Sequence, residues 1–311
     1  MTQAPRVPRR TGRKVLEQIR RNWLLYLFLL PSVAYIIIFN YVPMYGIQMA
    51  FRNFKPAKGI WGSQWVGLLH FQRFFESYHF SELLRNTISL SLYQVIASFP
   101  MPILLALILN YTTIPHVKRF AQTVTYAPHL ISTVVLAGML IVFCSTSGLF
   151  NHLLGLINQP KFNMLGEPRL YQHIYVWSTI WQRTGYNAVL YIAALSSVSD
   201  ELHEAATIDG ANKIQRVWHI DLPAILPTMV ILLIMSIGNI MSIGFEKSYL
   251  LQNSLNLERS EIISTYVYKV GIQSAQYSYS TAIGLFNNVI NFILLITVNK
   301  IANKVTGSGL W

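Results

Sequence analysis

WLLYLFLLPSVAYIIIFNYV, from Trp23 to Val42, runs for 20 residues without a charged side chain. An α-helix rises about 1.5 Å per residue, so this length crosses the roughly 30 Å hydrocarbon layer of a bilayer. Trp23 and Tyr41 stand near its two ends, where amphipathic rings favour the lipid–water interface. Ahead of it lie seven of the chain's 24 basic residues, Arg6, Arg9, Arg10, Arg13, Lys14, Arg20 and Arg21. Basic residues massed before an apolar run hold that end in the cytoplasm. With no clear small-residue cleavage site, the run reads as a retained helix rather than a removed signal.

Outward from this segment the pattern recurs. Further spans are expected near 87–109, 121–143, 171–195, 223–243 and 281–301, which makes about six transmembrane helices with both termini cytoplasmic. Composition agrees: 53% of the 311 residues are hydrophobic and 12% charged, and that charged share is about half of a soluble domain's. The fold class is therefore an all-α membrane protein, with a basic cytoplasmic tail over residues 1–22 and one transmembrane domain over 23–311. The segment from Pro43 to Arg85 carries Arg52, Asn53, Lys55, Pro56, Lys58, Gly59 and Gly62. That density of charges and turn formers predicts an external loop with short helices. Pro100 and Pro102 interrupt the second span and Pro128 the third, and neighbours must satisfy the carbonyls that proline frees.

Between the fourth and fifth spans lies SVSDELHEAATIDGANKIQRVWHIDLP, 197–223. Ser199 or Asp200 caps a short helix, Gly210 permits the turn that ends it, and a second short helix is expected to stop before Pro223. Within this loop, 199–222, Glu204-Ala205-Ala206, Gly210, Ile220, Leu222 and Pro223 fall at the spacing EAA, three residues, G, nine residues, I-x-LP. Here the chain resembles the integral membrane subunits of binding-protein-dependent ABC importers. The resemblance implies the type I ABC importer permease fold and makes this loop the cytoplasmic coupling helix that docks on an ATPase subunit. Small Ala205 and Ala206 suit close approach, while Glu204 and Asp209 offer carboxylates to a basic partner. The stretch from Leu27 to Phe71, Asn86-Thr87 and TYVYKVGI from Thr265 resemble the branch that imports oligosaccharides and polysaccharide fragments.

The same resemblance implies a bacterial cytoplasmic-membrane location and a set of partners. These are a second homologous permease in a heterodimer, two ATP-binding subunits that hold ATP and Mg, and an extracytoplasmic solute-binding protein. Membrane lipids and an oligosaccharide complete the set. No cofactor is expected in this chain itself. It has no phosphate-binding glycine loop, no zinc-protease histidine spacing and no nucleophile triad. Its single cysteine, Cys144, excludes an internal disulfide and a cysteine metal cluster, and no metal site is expected. The net charge of +12 does not point to nucleic acid, because no basic stripe lies on a soluble module.

A solute path is sought among polar residues in the spans. Thr179, Arg183, Asn187 and Tyr191 recur every four residues on one face of the fourth span, with Gln182 and Tyr186 beside them and Trp177 and Trp181 as planar surfaces for a sugar. Ser236, Asn239 and Ser242 form a second stripe, and Gly284, Asn287, Asn288 and Asn291 a third. Such residues serve equally as helix–helix contacts. His129 beside Pro128 reads as a packing group. Basic residues assigned outside (Arg52, Lys55, Lys58, Arg73 and Lys247) suit an acidic, uronate-containing oligosaccharide, and they also suit lipid phosphates. A peptide or small polar metabolite remains the alternative cargo. An ion-coupled secondary transporter would need acidic residues inside the spans, and none of the six holds one.

Overall fold

Without water in a bilayer, every backbone amide must be paired inside the chain, and long helices satisfy that condition segment by segment. The computed structural model describes residues 20–307, 309 and 310 and is built in this way. Most of the basic tail, residues 1–19, lies outside the described residues. The chain divides into two units at Gly67 and Leu68.

The first unit holds helix α1, Trp23–Phe51, with a π turn over Ile37–Tyr41. Its most apolar window is unburied throughout. After it, strands β1 (Arg52–Lys55) and β2 (Ser63–Trp65) pair antiparallel, Arg52 opposite Trp65 and Asn53 opposite Gln64. The short helices expected across this region are thus joined by a hairpin. Its cause is local: the Arg52 guanidinium donates to the Ser63 carbonyl at 2.9 Å and lies 5.4 and 5.5 Å from the Trp61 and Trp65 rings.

The second unit opens with α2 (Leu69–Phe75) and α3 (His79–Asn110). Helix α3 is longer than the expected 87–109 and passes through Pro100 and Pro102, because Phe99 keeps helical angles of −64° and −45°. Helices α4 (Pro115–Leu130) and α5 (Thr133–Phe143) meet at 94°, so the stretch expected as one straight third span is broken. Ile131 is extended there, Ser132 caps α5 through the Val135 amide, and the buried Gln182 donates to the Ile131 carbonyl at 2.8 Å. A side chain from another helix therefore satisfies the group that the break exposes.

Helix α6 (Leu149–Leu156) leads to α7 (Pro168–Leu195), the least apolar of the long helices. It packs along the second half of α3 and against α4. Gly185 is essential to that approach, since a β-carbon there would collide with the Thr125 carbonyl. Helix α8 (Asp200–Ile208) precedes α9 (Lys213–Gly238). The second short helix expected to stop before Pro223 instead runs straight into α9. A π turn over Val217–Asp221, closed by the Leu222 amide on the Val217 carbonyl, widens the helix ahead of the proline ring. Helix α10 (Phe245–Leu251) and α11 (Ile263–Tyr268) follow, and α12 (Tyr277–Thr306) packs along α9 and ends at Gly307. Among the described residues, four helices are long and apolar enough to cross a membrane, and the bent α4–α5 pair makes a fifth candidate. Three apolar clusters tie the unit together, centred on Tyr171 and Leu136, on Phe74 and Ile283, and on Ile103 and Ile225.

Candidate functional site

Two features stand out in the second unit, an exposed loop and a polar cavity. In the loop, the Ser199 hydroxyl accepts from the Glu201 amide at 3.3 Å and starts α8. Gly210 has a φ of +81°, a left-handed turn that side chains resist. Asn212 and Gln215 then exchange hydrogen bonds of 2.9 and 2.8 Å as a capping box for α9. Glu204, Ala205, Asp209, Gly210 and Pro223 are exposed; Ala206, Ile220 and Leu222 are half-buried. Leu202, Ile208, Ile214 and Trp218 also project outward, Ile208 at 87% exposure. Carboxylates and bare apolar side chains thus share the exposed surface of this loop.

A cavity of about 730 Å³ lies among α3, α7, α9 and α10. Helix α3 gives it Ser91, Gln94 and Ser98; α7 gives Thr179, Gln182, Arg183, Asn187 and Tyr191. Ser236 comes from α9, Asn239 and Ser242 from the turn after it, and Glu246 and Lys247 from α10. Arg183 is exposed to this space and makes no hydrogen bond or ion pair with any described residue. Its charge is available to a solute.

The other path candidates divide. Tyr186 stacks on His129 with ring centroids 3.9 Å apart, away from the cavity lining. Trp177 and Trp181 line a separate groove with Leu136, Phe143 and His173, and Trp177 Nε1 donates to the Tyr93 hydroxyl at 3.1 Å. On α12, Asn291 accepts from the Met241 amide at 2.9 Å and donates to Ser242 Oγ at 2.7 Å. Asn287 reaches the same hydroxyl at 3.4 Å, and Asn288 is exposed outside the cavity lining. The amide row on α12 therefore pins the turn that follows α9, and α7 supplies more of the cavity.

Lys247 corrects the reading that grouped it with external basic residues. It is 6% exposed, and its Nζ donates to the Tyr175 carbonyl at 2.9 Å, Ser178 Oγ at 2.8 Å and Thr179 Oγ1 at 2.6 Å. All three partners are neutral acceptors, and burial, followed by the nearby charge of Arg183, lowers the ammonium from its ordinary value to about 7. The clue in sequence was a lysine within GFEKSYLL, but only the fold turns it onto α7. The ionisable side chains lining the cavity are Arg183 and Lys247, which are basic, and one acid, Glu246.

Comparison with known proteins agrees with this geometry. A family model described as binding-protein-dependent transport system inner membrane component matches residues 80–307. Protein LplB of Bacillus subtilis (strain 168) is 40% identical over 99% of this chain and 97% of its own length. The polygalacturonan/rhamnogalacturonan transport system permease protein YteP of the same organism is 40% identical over 96% of this chain and 94% of its own. Among solved structures, a chain of a bacterial ABC transporter involved in the import of the acidic polysaccharide alginate superposes with a TM-score of 0.87 at 37% identity. The match covers 94% of this chain and 99% of that one. That transporter has also been solved with an alginate pentasaccharide-bound periplasmic protein.

Proposed function

Because the chain belongs to the binding-protein-dependent transport system inner membrane components, we propose that it forms the path by which an ABC importer takes up acidic oligosaccharides. The observation that carries the acidic preference is Arg183, open to the cavity with no ion pair to a described residue, with the basic Lys247 in the wall beside it. A uronate carboxylate entering there meets a guanidinium with free donors in a fork that matches its two oxygens. Thr179, Asn187, Tyr191 and Asn239 add neutral groups for sugar hydroxyls. The names of two relatives, one a polygalacturonan/rhamnogalacturonan permease and one an alginate importer chain, support the same substrate class.

In this reading six spans cross the membrane: α1, α3, the bent α4–α5 pair, α7, α9 and α12. Helix α7 crosses despite its polar residues because it is enclosed by other helices and lines the path. Both termini and the 199–222 loop are cytoplasmic. A second permease completes the path, two ATPase subunits holding ATP and Mg dock beneath, and a solute-binding protein delivers cargo from outside. The loop docks through Glu204, Ala205, Ala206 and Asp209, with Leu202 and Ile208 seated in the partner, and Gly210 provides the turn. ATP-driven closure pushes on α8 and rocks the spans.

The test is Arg183→Gln in the assembled transporter, with uptake of oligogalacturonate and of a neutral oligosaccharide of equal length measured side by side. Loss of uronate uptake with neutral uptake preserved is the expected result. Equal effects on both would remove the charge argument.

A further inference from the structure

Helix α8 contributes no buried side chain, so apolar packing does not fasten it to the bundle. What holds it is a small polar cluster. His203 Nε2 lies 3.4 Å from Asp221 Oδ1, and Arg216 Nη1 donates to Thr207 Oγ1 at 3.0 Å. Asp221 is completely buried, the last residue of the π turn in α9. Its other oxygen accepts from the Tyr111 hydroxyl at 2.7 Å, and Tyr111 is the first residue beyond α3. The Tyr111 and His203 rings meet edge to face with centroids 6.4 Å apart, and the Arg216 guanidinium sits 5.7 Å over the Tyr111 ring. Burial, then the hydrogen bond and charge of Asp221, push the Tyr111 phenol up, so it remains a proton donor throughout the physiological range.

One carboxylate of α9, hydrogen-bonded to the foot of α3 and within 3.4 Å of His203 on α8, thus lies where three elements meet. Those two long helices reach the cavity higher up, through Ser91 and Gln94 on one and Met235 and Ser236 on the other. A buried carboxylate is expensive to desolvate, and stability alone is a weak reason for one. A π turn is likewise a departure from regular helix that recurs at functional positions.

We propose that Asp221 is the joint that transmits movement of the docking helix α8 to the cavity walls, by clamping His203 and Tyr111 to the foot of α9. The proposal rests on the docking reading given above. Asp221 is a positioning residue that touches neither nucleotide nor sugar. With it intact, α8 moves with α3 and α9 as one body. Without it, α8 moves with the ATPase while the spans lag behind.

The experiment uses the complete transporter in lipid nanodiscs and proteoliposomes, comparing wild type with Asp221→Asn. Retained ATPase subunits, hydrolysis close to wild type, and uptake per ATP reduced about ten-fold, a typical coupling free energy between sites, are expected. A loss that were merely structural would lower hydrolysis and uptake together as the complex falls apart, and that outcome would overturn the joint. A second variant supplies rescue: Tyr111→Cys with His203→Cys should uncouple, and a short bifunctional thiol reagent bridging them should restore uptake per ATP. Uptake per ATP unchanged by Asp221→Asn, or a bridge that restores nothing, contradicts the proposal. The docking reading is tested separately by a photocrosslinker at position 204. If it fails to capture the ATPase subunit in wild type, docking is wrong; capture with Asp221→Asn fully coupled sinks the joint alone.

Discussion

Replacing Lys247 by methionine separates charge from fastening, and the structure says how each should respond. The three acceptors of Nζ lie 2.6 to 2.9 Å away on α7. Ser178 also donates to the Ile174 carbonyl, and Thr179 to the Tyr175 carbonyl at 2.8 Å. Neither hydroxyl is left unsatisfied when the ammonium goes, and methionine fills most of the stem's volume. The loss of stability should be about 1–2 kcal/mol, since a buried ion replaced by an apolar side chain of similar size often changes little. For function, a carboxylate about 6 Å from a protonated Nζ at an effective dielectric of about 20 gains about 3 kcal/mol; screening, together with an ammonium that burial and Arg183 lower to about 7, reduces this to about a ten-fold effect. The assay is uptake of oligogalacturonate and of a neutral oligosaccharide by reconstituted transporter, with thermal unfolding followed in parallel. Uronate uptake should fall about ten-fold while neutral uptake and the melting temperature move little. Equal losses for both sugars, or collapse of the protein, would refute the separation of roles.

Three further outcomes follow from local geometry. Gly210→Ala puts a β-carbon at a φ of +81° and should cost about 1 kcal/mol locally; co-purification of the ATPase subunit should drop while the spans stay folded by circular dichroism. Gly185→Val drives its side chain into the Thr125 carbonyl and should destabilise the α4–α7 contact by about 3 kcal/mol or more, seen as poor recovery from detergent and a lower melting temperature. Cys144 is fully buried, and burial pushes its thiol up to about 11. Maleimide at neutral pH should therefore leave it unlabelled in the native protein and label it after denaturation. Because the thiolate is the reactive form, labelling should rise as pH approaches that value.

The membrane class and the long helices were legible because lipid demands runs of apolar residues, and the run at Trp23 to Val42 is unambiguous. The turn at Gly210 was legible too, because a left-handed residue after a short amphipathic helix calls for glycine. Helix ends were not. Pro100 and Pro223 look like stops, yet Phe99 stays helical and a π turn absorbs Pro223; both depend on packing that composition does not encode. Nor was the break at Ile131, whose carbonyl is satisfied by Gln182 from 51 residues away. In the cavity, the four-residue repeat of Thr179, Arg183, Asn187 and Tyr191 predicted a common face, and the structure lines the cavity with all four. Equal polarity on α12 gave no such guide, since Asn287 and Asn291 bond to Ser242. Asp221 was missed as a site residue, and Lys247 was suited to an acidic solute without its seat against α7, because long-range contacts alone bury them.

The most direct measurement is ATP-dependent uptake by the wild-type complex, reconstituted with its binding protein, of uronate oligosaccharides against neutral ones of the same length. Uronate uptake should dominate, require ATP, and be competed by other uronate oligomers and not by neutral sugars. Uptake of neutral sugars at equal or greater rate would contradict the basic residues of the cavity as the source of selectivity. Uronate uptake driven by an ion gradient without ATP would contradict the assignment of this chain to an ATP-powered importer.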